Sequence, residues 1–480
     1  MSLNKKALAV AIVGAFVAGN AAAADLSASG GAIPAYFAKE IIATPAAPVT
    51  LTTSASAATQ LTWNIGYNFS VNEVRYVRVE CSDNIEFDTG TTVTLAGNGN
   101  VGSINGLGTN VMTFSITSVG GPNVVASDIL TVDGDHDITS TASDVNCTVG
   151  MYDQPSQAQI GGNTGLITNT SFSGAYLRFA PSYELTATAT EHTADVESPA
   201  PSFSQFVPNS NTAALTAWMA YTGTNTTLQY RLRDPDGTAG VQTATYQING
   251  TPMTLPTLLA AGTTIRVAGD YALVANANGT YTGAALNRAR INGVMAASAL
   301  TASNATFPVG NTAINNGYFQ LDTLGLIAIP AAEYIASLRV VAAAPTVYSV
   351  SNIDNVKFGS IVRNGTELQA PLAQVPTGWL ARMVLTNTGG TPRAYNLTII
   401  GETGNTIVTN AAGMTGTVPA NGTVVVDLPT NVFTSFTGAP RATIIANVAG
   451  PTKQIQGLYQ IVNPDKGSIS NHVMVRPGTN

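Results

Sequence analysis

The chain reads as all-β, with two or three antiparallel β-sandwich (Ig-like) domains and few short helices. Three observations predict this. Apolar residues recur at every second position in many short runs, Asn-Gly and Asp-Gly pairs punctuate those runs, and charged residues are only 10% of the 480 while glycine alone numbers 46. Alternation places one face of a strand on a core and the other toward water, and the dipeptides tolerate the positive φ that tight hairpin turns require.

Taken in order, the first segment, "MSLNKKALAVAIVGAFVAGNAAAADLS", has a basic start at Lys5 and Lys6, an apolar run from Ala7 to Ala18 and small residues from Ala22 to Ala24. This is the layout of a secretory signal, so residues 1–24 are expected to be a cleaved signal peptide and the product to be extracellular, at the cell surface. Removing the two leader lysines from 20 basic residues leaves 18 against 27 acidic ones, a mature balance of −9. No basic stripe with interleaved aromatics is present, which disfavours nucleic acid as a partner. No later apolar run reaches the roughly 18 residues of a helical span, so the mature chain is expected to have no transmembrane helix.

Residues 25–197 are predicted to form an N-terminal β domain with a disulfide. In "MTFSITSV", Met112, Phe114 and Ile116 share one face and Thr113, Ser115 and Thr117 the other. Cys81 and Cys147 are the two cysteines of the chain, and in an exported protein they are expected to pair.

Between them lies "TVDGDHDITSTASD", with Asp133, Asp135 and Asp137 at alternating positions. Counted from Asp133 as a calcium loop, the carboxylates fall at the first, third and fifth places and Asp144 at the twelfth. An EF-hand needs glycine sixth and a bidentate Glu twelfth, whereas this stretch has Ile138 and Asp144 there. What remains is an acidic hairpin tip that could hold calcium through Asp133, Asp135, Asp137 and Asp144, helped by a loop such as "RDPDG", Arg233 to Gly237. A plain solvated turn is the competing reading.

"VESPAPSFSQ", Val196 to Gln205, reads as a linker and "VAAAPT", Val341 to Thr346, as a weaker one. They delimit a middle β-rich domain, 198–345, and a C-terminal Ig-like sandwich, 346–480. Short helices are predicted in the middle part near Leu258, Leu286 and Tyr334. In the last part "RAYNLTII" turns Tyr395, Leu397 and Ile399 inward, and "GTVVVDL" follows the Asn421-Gly422 turn. Trp63, Trp218 and Trp379 fall one to each segment and are expected to anchor the cores.

Catalytic motifs are not apparent, and the chain is not expected to be an enzyme. His136, His192 and His472 are isolated, no Gly-x-Ser-x-Gly elbow occurs, and Gly97, Gly99 and Gly102 match Gly-x-Gly-x-x-Gly without a helix to follow. Asp83, Glu86 and Asp88 are acidic neighbours with nothing to mark them as a glycosidase pair. A porin-type barrel would need more ionisable residues for its lumen and a terminal strand closing on an aromatic, whereas this chain ends "VMVRPGTN".

The leader "NKKALAVAIVGAFVAGNAAAA", Lys39 as the one lysine between residues 25 and 356, the Thr/Ala/Asn/Gly bias and the leading segment "GAIPAYFAKEI", Gly31 to Ile41, together resemble the S-layer and S-layer-like surface proteins of Gram-negative bacteria. The resemblance implies a homo-oligomer, a lattice or filament, often calcium-assisted and held to an outer-membrane component such as lipopolysaccharide. The chain lacks the Gly-Gly-x-Gly-x-Asp repeats of many calcium-dependent relatives. The apolar "AIPAYFAKEII" stretch is a candidate strand for a neighbour's sheet edge, or else completes its own domain. The alternative function is a monomeric surface adhesin or ligand-binding module.

Overall fold

A computed structural model describes residues 24–28, 35–52, 59–120, 123–196, 198, 203–207, 217–219, 228–237 and 242–476. The leader before Ala24 lies outside them. The fold is all-β with few short helices. Among the described residues the strand pairings are mostly antiparallel, with three parallel strand pairs, Ala24–Asp25 on Leu61–Asn64, Ala35–Ala38 on Phe172–Ala180, and Thr190–Ala194 on Ile353–Arg363, and a parallel bridge between Phe37 and Tyr246.

The first part carries a six-stranded sheet in the order 35–38, 172–180, 145–152, 74–81, 111–118, 99–101. Four-stranded and three-stranded sheets accompany it. Met112, Phe114 and Ile116 are buried as their alternation demands. Ala35–Ala38 is an edge strand of its own chain, with Phe37 fully buried and bridged to Tyr246 on its other side. Residues 35–38 of the leading segment thus spend backbone bonds within their own chain.

A second six-stranded sheet joins Thr190–Ala194, Ile353–Arg363, Ala332–Arg339, Thr264–Ala268, Asn304–Phe307 and Ala299–Leu300. Its strands come from both sides of residues 197 and 345. Buried apolar side chains form two clusters, one running from Ala24 to Ile361 and one from Leu368 to Met474.

Of the expected helices, Leu255–Leu258 is a short α-helix and Gly283–Arg288 a 3-10 turn. The segment around Tyr334 is a strand, because Tyr334, Ala336 and Leu338 are buried at every second position. Among the described residues one α-helix unforeseen from sequence, Pro155–Ile160, begins with proline in its first turn, where a missing N–H costs nothing. Of the Asn-Gly and Asp-Gly pairs, Asn292-Gly293 is the one with positive φ at both residues.

The C-terminal part is a sandwich of two four-stranded sheets. One runs Thr366–Gln374, Arg441–Val448, Arg393–Gly401, Thr415–Val418; the other runs Gly422–Asp427, Leu380–Asn387, Ile455–Asn463, Ser468–Val473. Each contributes alternate residues to one core, among them Leu368, Ile444 and Leu397 from the first and Met383, Leu385 and Tyr459 from the second.

Candidate functional site

The acidic stretch is not a hairpin tip. Ile129–Asp133 belongs to the four-stranded sheet and His136–Ile138 to the three-stranded one, so the chain turns a corner between sheets. Gly134 permits it: at φ +154, a Cβ there would meet the Thr91 Cα at 2.7 Å.

Each aspartate already has a protein partner. Asp133 accepts from Gln60 Nε2 at 3.0 Å and Asp137 from Thr50 Oγ1 at 2.6 Å. Asp144 accepts from the Phe179 N–H at 3.1 Å and lies 3.6 Å from Arg178 Nε. The Asp135 carbonyl oxygen accepts from Thr91 Oγ1 at 3.5 Å. In "RDPDG", Asp234 accepts from the Gly237 N–H. Among the described residues no three His, Cys, Asp or Glu side chains come together as a group able to hold a metal ion.

His136 points inward from this corner and is fully buried between Phe87 and Tyr176, ring centroids 5.5 and 5.6 Å away. Burial is the main cause that pushes its pKa down from 6.5 to about 4, against the raising effects of the Thr59 carbonyl and of Asp135 and Asp133. It is a neutral core residue, and its Nε2 lies 3.3 Å from the Thr59 carbonyl oxygen.

Cys81 and Cys147 are directly opposed on neighbouring antiparallel strands and form the expected disulfide. Among the tryptophans, Trp63 is buried. The Trp218 side chain lies outside the described residues. Trp379 departs from expectation, being 36% exposed. It follows Pro376-Thr-Gly378 in a turn and so sits at the rim of the C-terminal sandwich, not between its sheets.

That rim carries a groove and an open sheet edge. Gln369 and Val475 exchange backbone hydrogen bonds of 2.7 and 2.8 Å, joining the two sheets at one corner. From that corner the edge strands diverge, because Thr366–Gln374 carries a register shift between Ala370 and Ala373, where Pro371 and Leu372 sit. A groove of about 490 Å³ opens between them, lined by Pro371, Leu372, Trp379, Tyr459, Ile461 and His472. His472 stacks on Tyr459 with centroids 6.1 Å apart and lies 2.9 Å from Ser470 Oγ.

The groove's far wall is Ser468–Val473, which among the described residues pairs only to Ile455–Asn463. All six of its residues are exposed, Ile469 by 62% and Val473 by 80%. Sheet edges are normally blunted by charge, proline or a bulge. The opposite edge has proline and a bulge, whereas "SISNHV" has none of the three.

The outer face of this sheet is striped. Register places Val425, Val384, Leu458 and Val473 in one row across four strands, and Leu380, Val462 and Ile469 in another. Between them runs a polar row of Asp427, Arg382, Gln460 and Asn471, in which Gln460 Nε2 donates to Asn471 Oδ1 at 2.9 Å. No single stretch of sequence signals these rows, since each is assembled from three or four separate segments.

No protein-family model matches the chain, and no curated protein does. Among solved structures it is similar to a protein described as membrane anchored from Corynebacterium diphtheriae, at 7% identity over 91% of this chain and 86% of that one, TM-score 0.20. Domains D2 and D3 of the major pilin SpaD from the same organism give 9% identity over 64% and 90%, TM-score 0.16. A variant of BcpA, the major pilin subunit of Bacillus cereus, gives 8% over 83% and 93%, TM-score 0.20. Scores this low do not establish a common fold.

Proposed function

We propose that the chain is a structural protein of the cell surface, exported by its leader, that self-assembles with copies of itself into a layer or filament. One observation carries the reading: the sandwich ends in an uncharged, unblunted strand, Ser468–Val473, beside an apolar groove. An edge of that kind is a template for another strand, and an extracellular chain that keeps it exposed must use it or aggregate through it. The disulfide and the acidic balance suit an exported module.

A second reading, a monomeric adhesin, is favoured by the exposed Trp379, which lines the groove together with Leu372 and Tyr459 and could take a ligand there. Sedimentation of purified residues 25–480 over a concentration series, with calcium and with chelator, separates the two. Mass that grows with concentration supports self-assembly, and growth only with calcium assigns the metal a part in it. A monomer throughout refutes assembly and leaves the adhesin.

A further inference from the structure

Resting on the self-assembly reading, we infer that the partner of Ser468–Val473 is the same strand of a second copy, paired antiparallel about a two-fold axis through Asn471. The register follows from the backbone. The Met474 N–H donates to the Gly457 carbonyl at 2.9 Å, so residues 468, 470, 472 and 474 turn their backbone groups toward Ile455–Asn463. In an antiparallel ladder the alternate residues face the other way. Ile469, Asn471 and Val473 therefore aim their N–H and C=O groups off the free edge.

A two-fold axis perpendicular to the sheet keeps outer faces outer, so only registers that match residues of equal parity are allowed. Centring on Asn471 sets Ile469 against the partner strand's valine, Ser470 against its histidine, and Asn471 against its own copy. Shifting the centre to Ser470 opposes Ile469 to asparagine. Shifting it to His472 opposes Asn471 to valine and two imidazoles to each other. Only the Asn471-centred register matches every side chain in kind.

It also supplies two backbone hydrogen bonds at each of three pairs and joins the stripes. The row ending at Val473 continues into the row ending at the partner strand's isoleucine, and the polar row runs through the paired asparagines. Two four-stranded sheets become one of eight. The pairing stops at Val475, whose edge is taken by Gln369. Being isologous, this contact closes into a dimer, so a layer or filament would be built from dimers through a separate contact.

Crosslinking tests the register on the full mature chain. The two native cysteines are bonded to each other, so an introduced thiol has no internal competitor. Ser470 and His472 would face each other across the axis as a non-hydrogen-bonded pair, with Cα atoms about 4.5 Å apart, within disulfide reach. Mixing a tagged S470C chain with an untagged H472C chain under mild oxidation is expected to give at least tenfold more dimer linking a tagged to an untagged chain than mixing tagged S470C with untagged N471C, whose own 471–471 links carry no tag. Equal yields would overturn the register.

Asn471→Pro removes an outward N–H while leaving every backbone bond to Ile455–Asn463; of the side-chain bonds it loses the one from Gln460. It is expected to weaken dimerisation at least tenfold in sedimentation. Should that variant fail to fold, Ile469→Lys with Val473→Lys changes only exposed side chains and serves the same purpose. If the wild type assembles and these folded variants assemble equally well, the strand pairing is wrong while the self-assembly reading stands. If the wild type is monomeric at every concentration, both fall.

Discussion

Gln369 and Val475 hold the two sheets of the C-terminal sandwich together at one corner through a pair of backbone hydrogen bonds. The groove and the free edge strand both begin there. Val475→Pro removes the donor of one of these bonds, and we expect a loss of about 1–3 kcal/mol in stability. Widening of the groove should red-shift Trp379 emission against the same variant with Trp379→Phe. Unchanged stability and emission would mean the corner is held by packing alone.

The disulfide closes a separation of 66 residues. Cys81→Ala with Cys147→Ala should cost on the order of 4 kcal/mol by the loop-entropy argument. Denaturant melts of the oxidised protein and the double variant give the difference directly. A change under about 1 kcal/mol would show that residual structure already restrains the unfolded chain without the bond.

His136 gives stability a pH dependence whose sign is set by its depressed pKa of about 4 in the folded state. Between that value and the ordinary 6.5, the unfolded chain binds a proton that the native chain excludes. The contribution of His136 is therefore intact above pH 6.5 and falls away as pH drops toward 4, by on the order of 3 kcal/mol. His136→Phe should flatten that part of the slope whatever it does to absolute stability. An unaltered slope would place the titration elsewhere.

Trp63 and Trp379 should differ sharply on truncation. Trp63 is 2% exposed within the larger core, so Trp63→Ala is expected to cost about 3–5 kcal/mol. Trp379→Ala, at the rim, should cost under about 1 kcal/mol while changing the groove's ability to bind apolar dyes. Equal losses would mean that Trp379 packs as a core residue.

Most of the architecture was legible from local pattern. Strands such as Val111–Ser118 and Arg393–Gly401 follow from two-residue alternation, because each strand buries one face whatever its neighbours are. Tyr334 misled because Ile329 to Leu338 is rich in alanine, a good helix former, and the surrounding sheet overrode that propensity. The disulfide was legible because two cysteines allow one pairing. The aspartate stretch was misjudged as a tip because alternation within Asp133 to Asp137 says nothing about which sheet each half joins.

The all-β class is a property of short windows of chain, in which neighbouring residues settle the outcome through periodicity, and the cystine follows from there being two cysteines to pair. The free edge at Ser468–Val473, the stripes that end on it and the exposure of Trp379 depend on which segments meet. Those meetings are set by register and by the bulge at Pro371, interactions between residues as far apart as Gln369 and Val475. A linear pattern cannot encode which of two edges is blunted and which is left open, because a strand's edge exists only after its neighbours are in place.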